Sequence, residues 1–139
     1  MSFLSGFDVA ASGLSAQRSR LNVTASNLAN AETTKTENGG PYLRRQVTFT
    51  AGRTEFANAL DGAVQRVNVT AVTEDTTSPT RMVFDPGHPD ARPDGYVEMP
   101  NVNVVEEMTE MITASRSYEA NATSFETLKK MALRALSIG

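Results

Sequence analysis

The sequence predicts an α+β fold: long N- and C-terminal helices that pair as a coiled coil, with a small β-rich middle region. Three observations carry this expectation. All six prolines fall between residues 41 and 100, and a proline inside a helix removes a hydrogen bond and clashes with the preceding turn, so both ends are open to long helices. Apolar residues recur at seven-residue spacing in both ends, the mark of helices that wind around other helices. The middle alternates apolar and polar residues and is punctuated by turn signals. The chain divides accordingly into an N-terminal helix over 1–31, a β-rich region with an extended loop over 32–100, and a C-terminal helix over 101–139.

The first helix rests on Phe7, Leu14, Leu21 and Leu28, with Leu4, Ala11, Arg18 and Ala25 as the companion row. Arg18 interrupts that second row, and its aliphatic stem is expected to lie along the seam with its head in water. Asn30 stands where a C-cap belongs, before the polar stretch 32–40. Residues 3–30 make a rod of about 42 Å. Its surface is poor in charge and rich in small polar residues (Ser12, Ser15, Ser19, Thr24, Ser26, Asn27), which permits close helix–helix approach.

The middle offers four strands, Tyr42–Thr50, Val64–Val72, Arg81–Phe84 and Tyr96–Met99, which together predict one small sheet. Val67, Val69 and Ala71 alternate with Asn68, Thr70 and Val72, the pattern of a half-buried strand. Asn38-Gly39-Gly40-Pro41, Asp61-Gly62, Asp85-Pro86-Gly87 and Asp94-Gly95 supply the turns. Residues 51–62 read equally as a loop or a short helical turn.

The second helix follows Pro100 and opens on Asn103 and Glu106, spaced as a capping box. Val104, Met111, Tyr118, Phe125 and Ala132 form one row, and Met108, Ser115, Ala122, Lys129 and Leu136 the companion row. At about 35 residues it spans roughly 52 Å. The two seams could pack on each other within one chain as an αα-hairpin, or serve contacts between chains. The weakly solvated surface of the first helix favours the second use.

Composition narrows the function. Among 139 residues there is no Cys, no Trp and a single His, with a formal net charge of −3. That excludes disulfides, thiolate metal sites and cysteine nucleophiles, and it argues against electrostatic binding of nucleic acid. No apolar run approaches the roughly 18 residues of a membrane span. The N-terminal residues lack a basic segment, which predicts no cleaved secretory signal. Leu, Ile, Val and Phe make up about a fifth of the chain, the level at which a self-sufficient core becomes hard to build.

No convergent set of titratable groups suggests catalysis, so an enzyme is not expected, nor a cofactor or metal. His88 lies among prolines 86, 89 and 93, which reads as a stiff extended loop. Glu106, Glu107 and Glu110 read as a solvated first helical turn that complements the helix dipole rather than as metal ligands. Asn22, Asn68 and Asn121 head glycosylation-type triplets, two of them inside expected helices, and are read as chance matches.

The stretch from Leu14 to Thr33, LSAQRSRLNVTASNLANAET, resembles the N-terminal signature of bacterial flagellar basal-body rod proteins. The stretch from Asn101 to Asn121, NVNVVEEMTEMITASRSYEAN, resembles the matching C-terminal signature. Val83–Asp90 (VFDPGHPD) and Asp94–Pro100 (DGYVEMP) resemble the central motif of the short, proximal members of that family. The resemblance implies a structural subunit of the rod in the basal body, within the periplasm, exported unfolded by the flagellar type III apparatus without a cleaved signal peptide. It implies terminal helices that are disordered in the monomer and become a coiled coil on assembly, so that the subunits transmit torque and wall the export channel. Implied partners are further copies of the chain, other rod subunits, the export apparatus, and the membrane ring and adaptor proteins at the rod base. Another rod or hook axial subunit, or a cytoplasmic coiled-coil adaptor, is the alternative.

By position, the resemblance assigns an assembly interface to Leu4, Phe7, Leu14, Leu21 and Leu28, packing against Val104, Met108, Met111, Tyr118, Phe125 and Leu136 within and between subunits. Asn27, Asn30, Asn101, Asn103, Arg116 and Asn121 match polar motif positions and are expected to make directional contacts between subunits. The loop with Asp85, Pro86, Gly87, His88, Pro89, Gly95 and Tyr96 distinguishes this member and is expected to touch a neighbouring subunit.

Overall fold

Helix α1 runs Phe3–Ala29 and helix α2 Val104–Ile138, 27 and 35 residues long. The computed structural model describes residues 3–53 and 65–138, with side chains described over 5–52 and 65–137. The undecided stretch therefore resolves only at its start, where 51–53 continue a strand, and 54–62 lie outside the described residues. The second helix starts where its cap predicts. Asn103 Oδ1 accepts the amide of Val105 at 3.1 Å, and the Asn103 carbonyl accepts that of Glu107 at 3.0 Å. Asn30 closes α1, its side-chain amide donating to the Ser26 carbonyl at 2.9 Å.

The two helices pair antiparallel in a register that three contacts define. Gly6 lies against Leu128 and Gly13 against Asn121, while Asn27 bonds Glu107. Each step of seven along α1 is matched by seven back along α2. Glycine lets the backbones come close: a Cβ at Gly13 would lie 2.9 Å from Asn121 Nδ2. The buried residues along this seam are small or polar, with Ala10, Ala16, Thr24, Asn27 and Ala31 on one side and Glu107 and Ala114 on the other. The helices therefore do form the αα-hairpin, and the described members of the expected companion row of α1 turn away from it. Ala11, Arg18 and Ala25 are exposed. On α2, Met111, Phe125 and Ala132 are at least half-buried, as are Ser115 and Ala122 of the companion row, whereas Met108 and Lys129 of that row are exposed and Glu107, Ala114, Asn121 and Leu128 face α1 in their place. The reason is steric: close approach selects small side chains for the centre and leaves the larger apolar ones at its margins.

The middle forms two separate hairpins instead of one sheet. Strand β1 (Arg45–Arg53) pairs antiparallel with β2 (Gln65–Glu74), with a register shift between Thr48 and Phe49. Strand β3 (Arg81–Phe84) pairs with β4 (Tyr96–Met99), within the predicted bounds. The first hairpin lies along α1, through the amide of Val67 donating to Ser12 Oγ at 3.1 Å and an Arg66–Asp8 ion pair. Val67 and Val69 remain exposed, against the half-buried expectation, because a two-stranded ribbon with one helix beside it has no second layer to cover them. Val97 of β4 is 1% exposed.

Candidate assembly interface

The strongest polar feature joins the two helices to the start of β1. Arg44 Nε meets Glu107 Oε1 at 2.6 Å, and its Nη2 meets Glu110 Oε1 at 3.0 Å. Asn27 Nδ2 donates to Glu107 Oε2 at 3.0 Å and to the Arg45 carbonyl at 2.8 Å. Asn27 Oδ1 accepts from the Arg45 amide and from the Tyr42 hydroxyl, each at 2.9 Å. All four hydrogen-bonding positions of the Asn27 amide are thus filled. It treats Arg45 as a neighbouring strand would, taking both its N–H and its C=O.

Glu107 is 0% exposed, which corrects the reading of a solvated first turn. Only Glu106 and Glu110 face water. A buried carboxylate is tolerable when it is paired and hydrogen-bonded, and Arg44 and Asn27 do both. Burial opposes charge on Arg44, but the two carboxylates outweigh it and hold the guanidinium above its ordinary pKa. Residue spacing along α2 could not reveal this, because the partner charge comes from a segment 63 positions earlier. Arg44 and Tyr42, both essential here, carried no sequence signal of their own.

A second asparagine does similar work beside it. Asn101 Oδ1 accepts the Arg44 amide at 2.8 Å, while its Nδ2 donates to the carbonyls of Asp75 at 2.9 Å and Ser78 at 3.1 Å. Asp75 in turn accepts from the Ser78 hydroxyl and from the amides of Ser78 and Thr77, which hold its carboxyl below the usual range. The asparagines assigned to directional contacts thus direct their bonds within the chain: Asn27 and Asn101 into this clasp, Asn30 and Asn103 to helix ends. Asn121 lies against Gly13, and Arg116 is exposed.

The apolar positions divide into those the chain covers and those it leaves open. Phe7 and Phe125 meet edge to face at 5.0 Å between ring centroids. Leu14, Leu21, Leu28 and Met111 are half-buried, and Tyr118 is more open. Leu4 lies outside the residues whose side chains are described. Val104 and Met108 are exposed, and Leu136 is 80% exposed. Arg20, on the flank of α1 toward β1, places its guanidinium 4.6 Å from the Phe49 ring centroid. It helps line a cavity of about 320 Å³ with Arg44, Arg45 and Glu110.

The loop after β3 is tightly self-bonded. Asp85 Oδ1 accepts the Gly87 amide, and His88 Nδ1 accepts the Asp90 amide, both at 3.1 Å. Asp90 accepts the Thr34 hydroxyl at 2.8 Å, tying the loop to the segment after α1. Gly95 has φ +82 and lies under Phe84, where a Cβ would come within 2.8 Å of Cε2. Phe84 and Tyr96 stack edge to face at 5.2 Å, with Phe84 still 63% exposed. Pro86 and Pro89 are also exposed. Among the described residues no group of three His, Asp or Glu side chains is placed to hold a metal, and no helix is long and apolar enough to cross a membrane.

Comparison with known proteins agrees with this arrangement of paired ends around a short middle. Residues 7–35 match the family described as flagella basal body rod protein. Residues 94–138 match the flagellar basal body rod FlgEFG protein C-terminal family. The flagellar basal-body rod protein FlgC of Salmonella typhimurium (strain LT2) is 45% identical over 139 residues, covering 100% of this chain and 99% of that protein. The FlgC of Borreliella burgdorferi is 42% identical, covering 99% and 98%, and that of Bacillus subtilis 39% identical, covering 100% and 99%. Likeness of this degree over the full length, with both terminal helices and the hairpins between them included, places the chain in the FlgC family of flagellar basal-body rod proteins.

Proposed function

We propose that the chain is a non-enzymatic structural subunit of the proximal rod of the flagellar basal body. In this reading it assembles with copies of itself and with other rod subunits through its terminal helices. Assembled, it transmits torque and forms part of the wall of the export channel. The observation that supports this most is full-length kinship with rod proteins, joined to a row of apolar residues on α2 that the chain's own fold leaves uncovered. A helix whose outward face carries Val104, Val105, Met108 and Ile112 in the open has an incomplete core, and neighbouring subunits complete it.

The finer partners follow the same logic. The flagellar type III apparatus exports the chain without a cleaved signal to the periplasmic part of the basal body, and ring and adaptor proteins meet it at the rod base. The assembly interface comprises the apolar positions of both helices, and the loop at 85–96 touches a neighbouring subunit through the exposed Pro86 and Pro89. Leu21→Asp tests the reading, since it charges a half-buried position at the margin of the helix pair. We expect loss of rod assembly and swimming with secretion of the chain intact. A Leu21→Asp strain that swims normally refutes the use of this row in assembly.

A further inference from the structure

We propose that the cleft between β1 and α2 is a strand-addition site, which takes an extended, acidic segment of a different protein alongside the open edge of β1. The inference goes beyond the subunit reading and does not depend on it, since it concerns the β ribbon and not the apolar faces of the helices. Backbone direction defines the edge. In an antiparallel pair, successive residues turn their N–H and C=O alternately toward the partner strand and away from it. The Arg44 carbonyl accepts the Asp75 amide at 2.7 Å, on the β2 side. Arg45 therefore turns away, and Asn27 takes both of its groups. Val47, two residues on and opposite Val72, turns the same way. The other strand agrees: the Val67 amide leaves the ladder for Ser12 Oγ, so Val69 and its partner Phe49 turn outward too. The outward N–H and C=O of Val47 and Phe49 have no partner among the described residues. Asn27 stands in for the first residue of a third strand, which then stops.

The space beside that edge is the cavity of about 320 Å³, lined by β1, by α1 and, across from them, by Thr109, Glu110 and Thr113 of α2. The hydroxyls of Thr109 and Thr113 bond their own helix at 2.9 Å. Thr24 of α1, also in the lining and 2% exposed, has a hydroxyl with no partner among the described residues. An unpaired strand edge invites another strand, and here unfilled polar groups adjoin it.

Charge selects the occupant. Arg44 pairs with Glu107 and Glu110, and Arg45 with Glu74. Arg20, whose guanidinium lies over Phe49 at the open edge, has no carboxylate among the described residues. A carboxylate on the added strand supplies that partner. The described acidic residues in and beside this chain's own strands are already engaged: Glu74 by Arg45, Asp75 by Ser78, Asp85 by Gly87, Asp94 by Tyr96 and Glu98 by Arg92. The donor is therefore a different protein. Main-chain bonds to the edge give the affinity, and the acidic side chain gives the selection.

The probe is a blocked peptide of alternating valine and threonine with one central glutamate, titrated into the purified, isotope-labelled full chain. We expect saturable shifts and slowed exchange of the Val47 and Phe49 amides. Replacing the peptide's glutamate by lysine, or methylating its alternate backbone nitrogens, weakens binding about tenfold or more. Arg20→Gln removes the discrimination between the glutamate and lysine peptides. Val47→Pro deletes an N–H that the β1–β2 ladder does not use, and proline is tolerated on an open edge. It weakens binding by about tenfold and leaves the β2 amides in place. Absence of saturable binding overturns the proposal, as do glutamate and lysine peptides that bind alike, or shifts confined to residues away from the β1 edge. The same shifts arising without peptide as chain concentration rises also overturn it, because the occupant is then a second copy. The titration reads the purified chain whatever its place in the rod, so failure here and failure of the subunit reading are distinguishable.

Discussion

Glu107→Ala attacks the clasp at its centre. It removes the Arg44 Nε partner at 2.6 Å and the Asn27 Nδ2 acceptor at 3.0 Å together. Removing one member of a buried ion pair costs about 3–5 kcal/mol. Arg44 keeps Glu110 and is 17% exposed, which puts the loss at the low end, about 3 kcal/mol. The stranded Asn27 donor adds about 1 kcal/mol. A local loss of about 3–4 kcal/mol lowers hydrogen-exchange protection by roughly two to three decades. The loss is expected at residues 24–31 and 104–114, the helix segments that the clasp holds, and not at the far ends of the helices. Hydrogen exchange of the purified chain with mass spectrometry reads those segments separately. Glu110→Gln, which alters an exposed pair, costs only about 0.5 kcal/mol. A double-mutant cycle with Arg44→Met must show strong coupling. Unchanged protection in 24–31 and 104–114, or additive Arg44→Met and Glu107→Ala effects, would refute the clasp as the joint of the fold.

Gly95→Ala forces a side chain into a left-handed backbone beneath Phe84, and it destabilises the β3–β4 hairpin by about 1–3 kcal/mol, measured by loss of near-ultraviolet dichroism from Tyr96. Gly13→Leu overpacks the helix contact at Asn121 and costs about 1–3 kcal/mol in urea unfolding; an unchanged midpoint would show that the helices do not approach closely there. Asp75 has a folded pKa held below its ordinary value, so its contribution is complete above the unfolded pKa and fades as pH falls through the folded one. Asp75→Asn therefore flattens the acid limb of the stability curve, and identical acid limbs for the two proteins would count against the Asp75 turn. Circular dichroism of the isolated chain is expected to show less helix than the 27 and 35 residues of α1 and α2, since assembly completes their core; full helicity in a stable monomer would argue for a self-sufficient adaptor.

Element type and position were largely legible in the linear pattern. Proline confinement and heptad spacing placed both helices, and turn dipeptides placed β3 and β4 at their bounds. The seam was misread for a physical reason. Periodicity arguments weigh large apolar side chains, whereas the contact between α1 and α2 is built on Gly6, Ala10, Gly13, Ala114, Asn27 and Glu107. Met108 and Leu136, expected to pack within and between subunits, are exposed in the single chain, while Ser115 and Ala122 of the same row are half-buried.

The clasp was illegible for a different reason. Asn27 and Glu107 each have an ordinary local explanation, in a small polar helix surface and in a dipole-complementing first turn. Their burial depends on Arg44 and Tyr42, which reach them only once the chain has turned back on itself. The linear pattern established where helix is possible, where the chain must turn, and that its apolar content is modest for a self-sufficient core. Tertiary structure alone decided which face each helix spends on its own partner and which it leaves for others. That choice depends on how closely two backbones approach and on charges brought together from distant segments, and local spacing records neither.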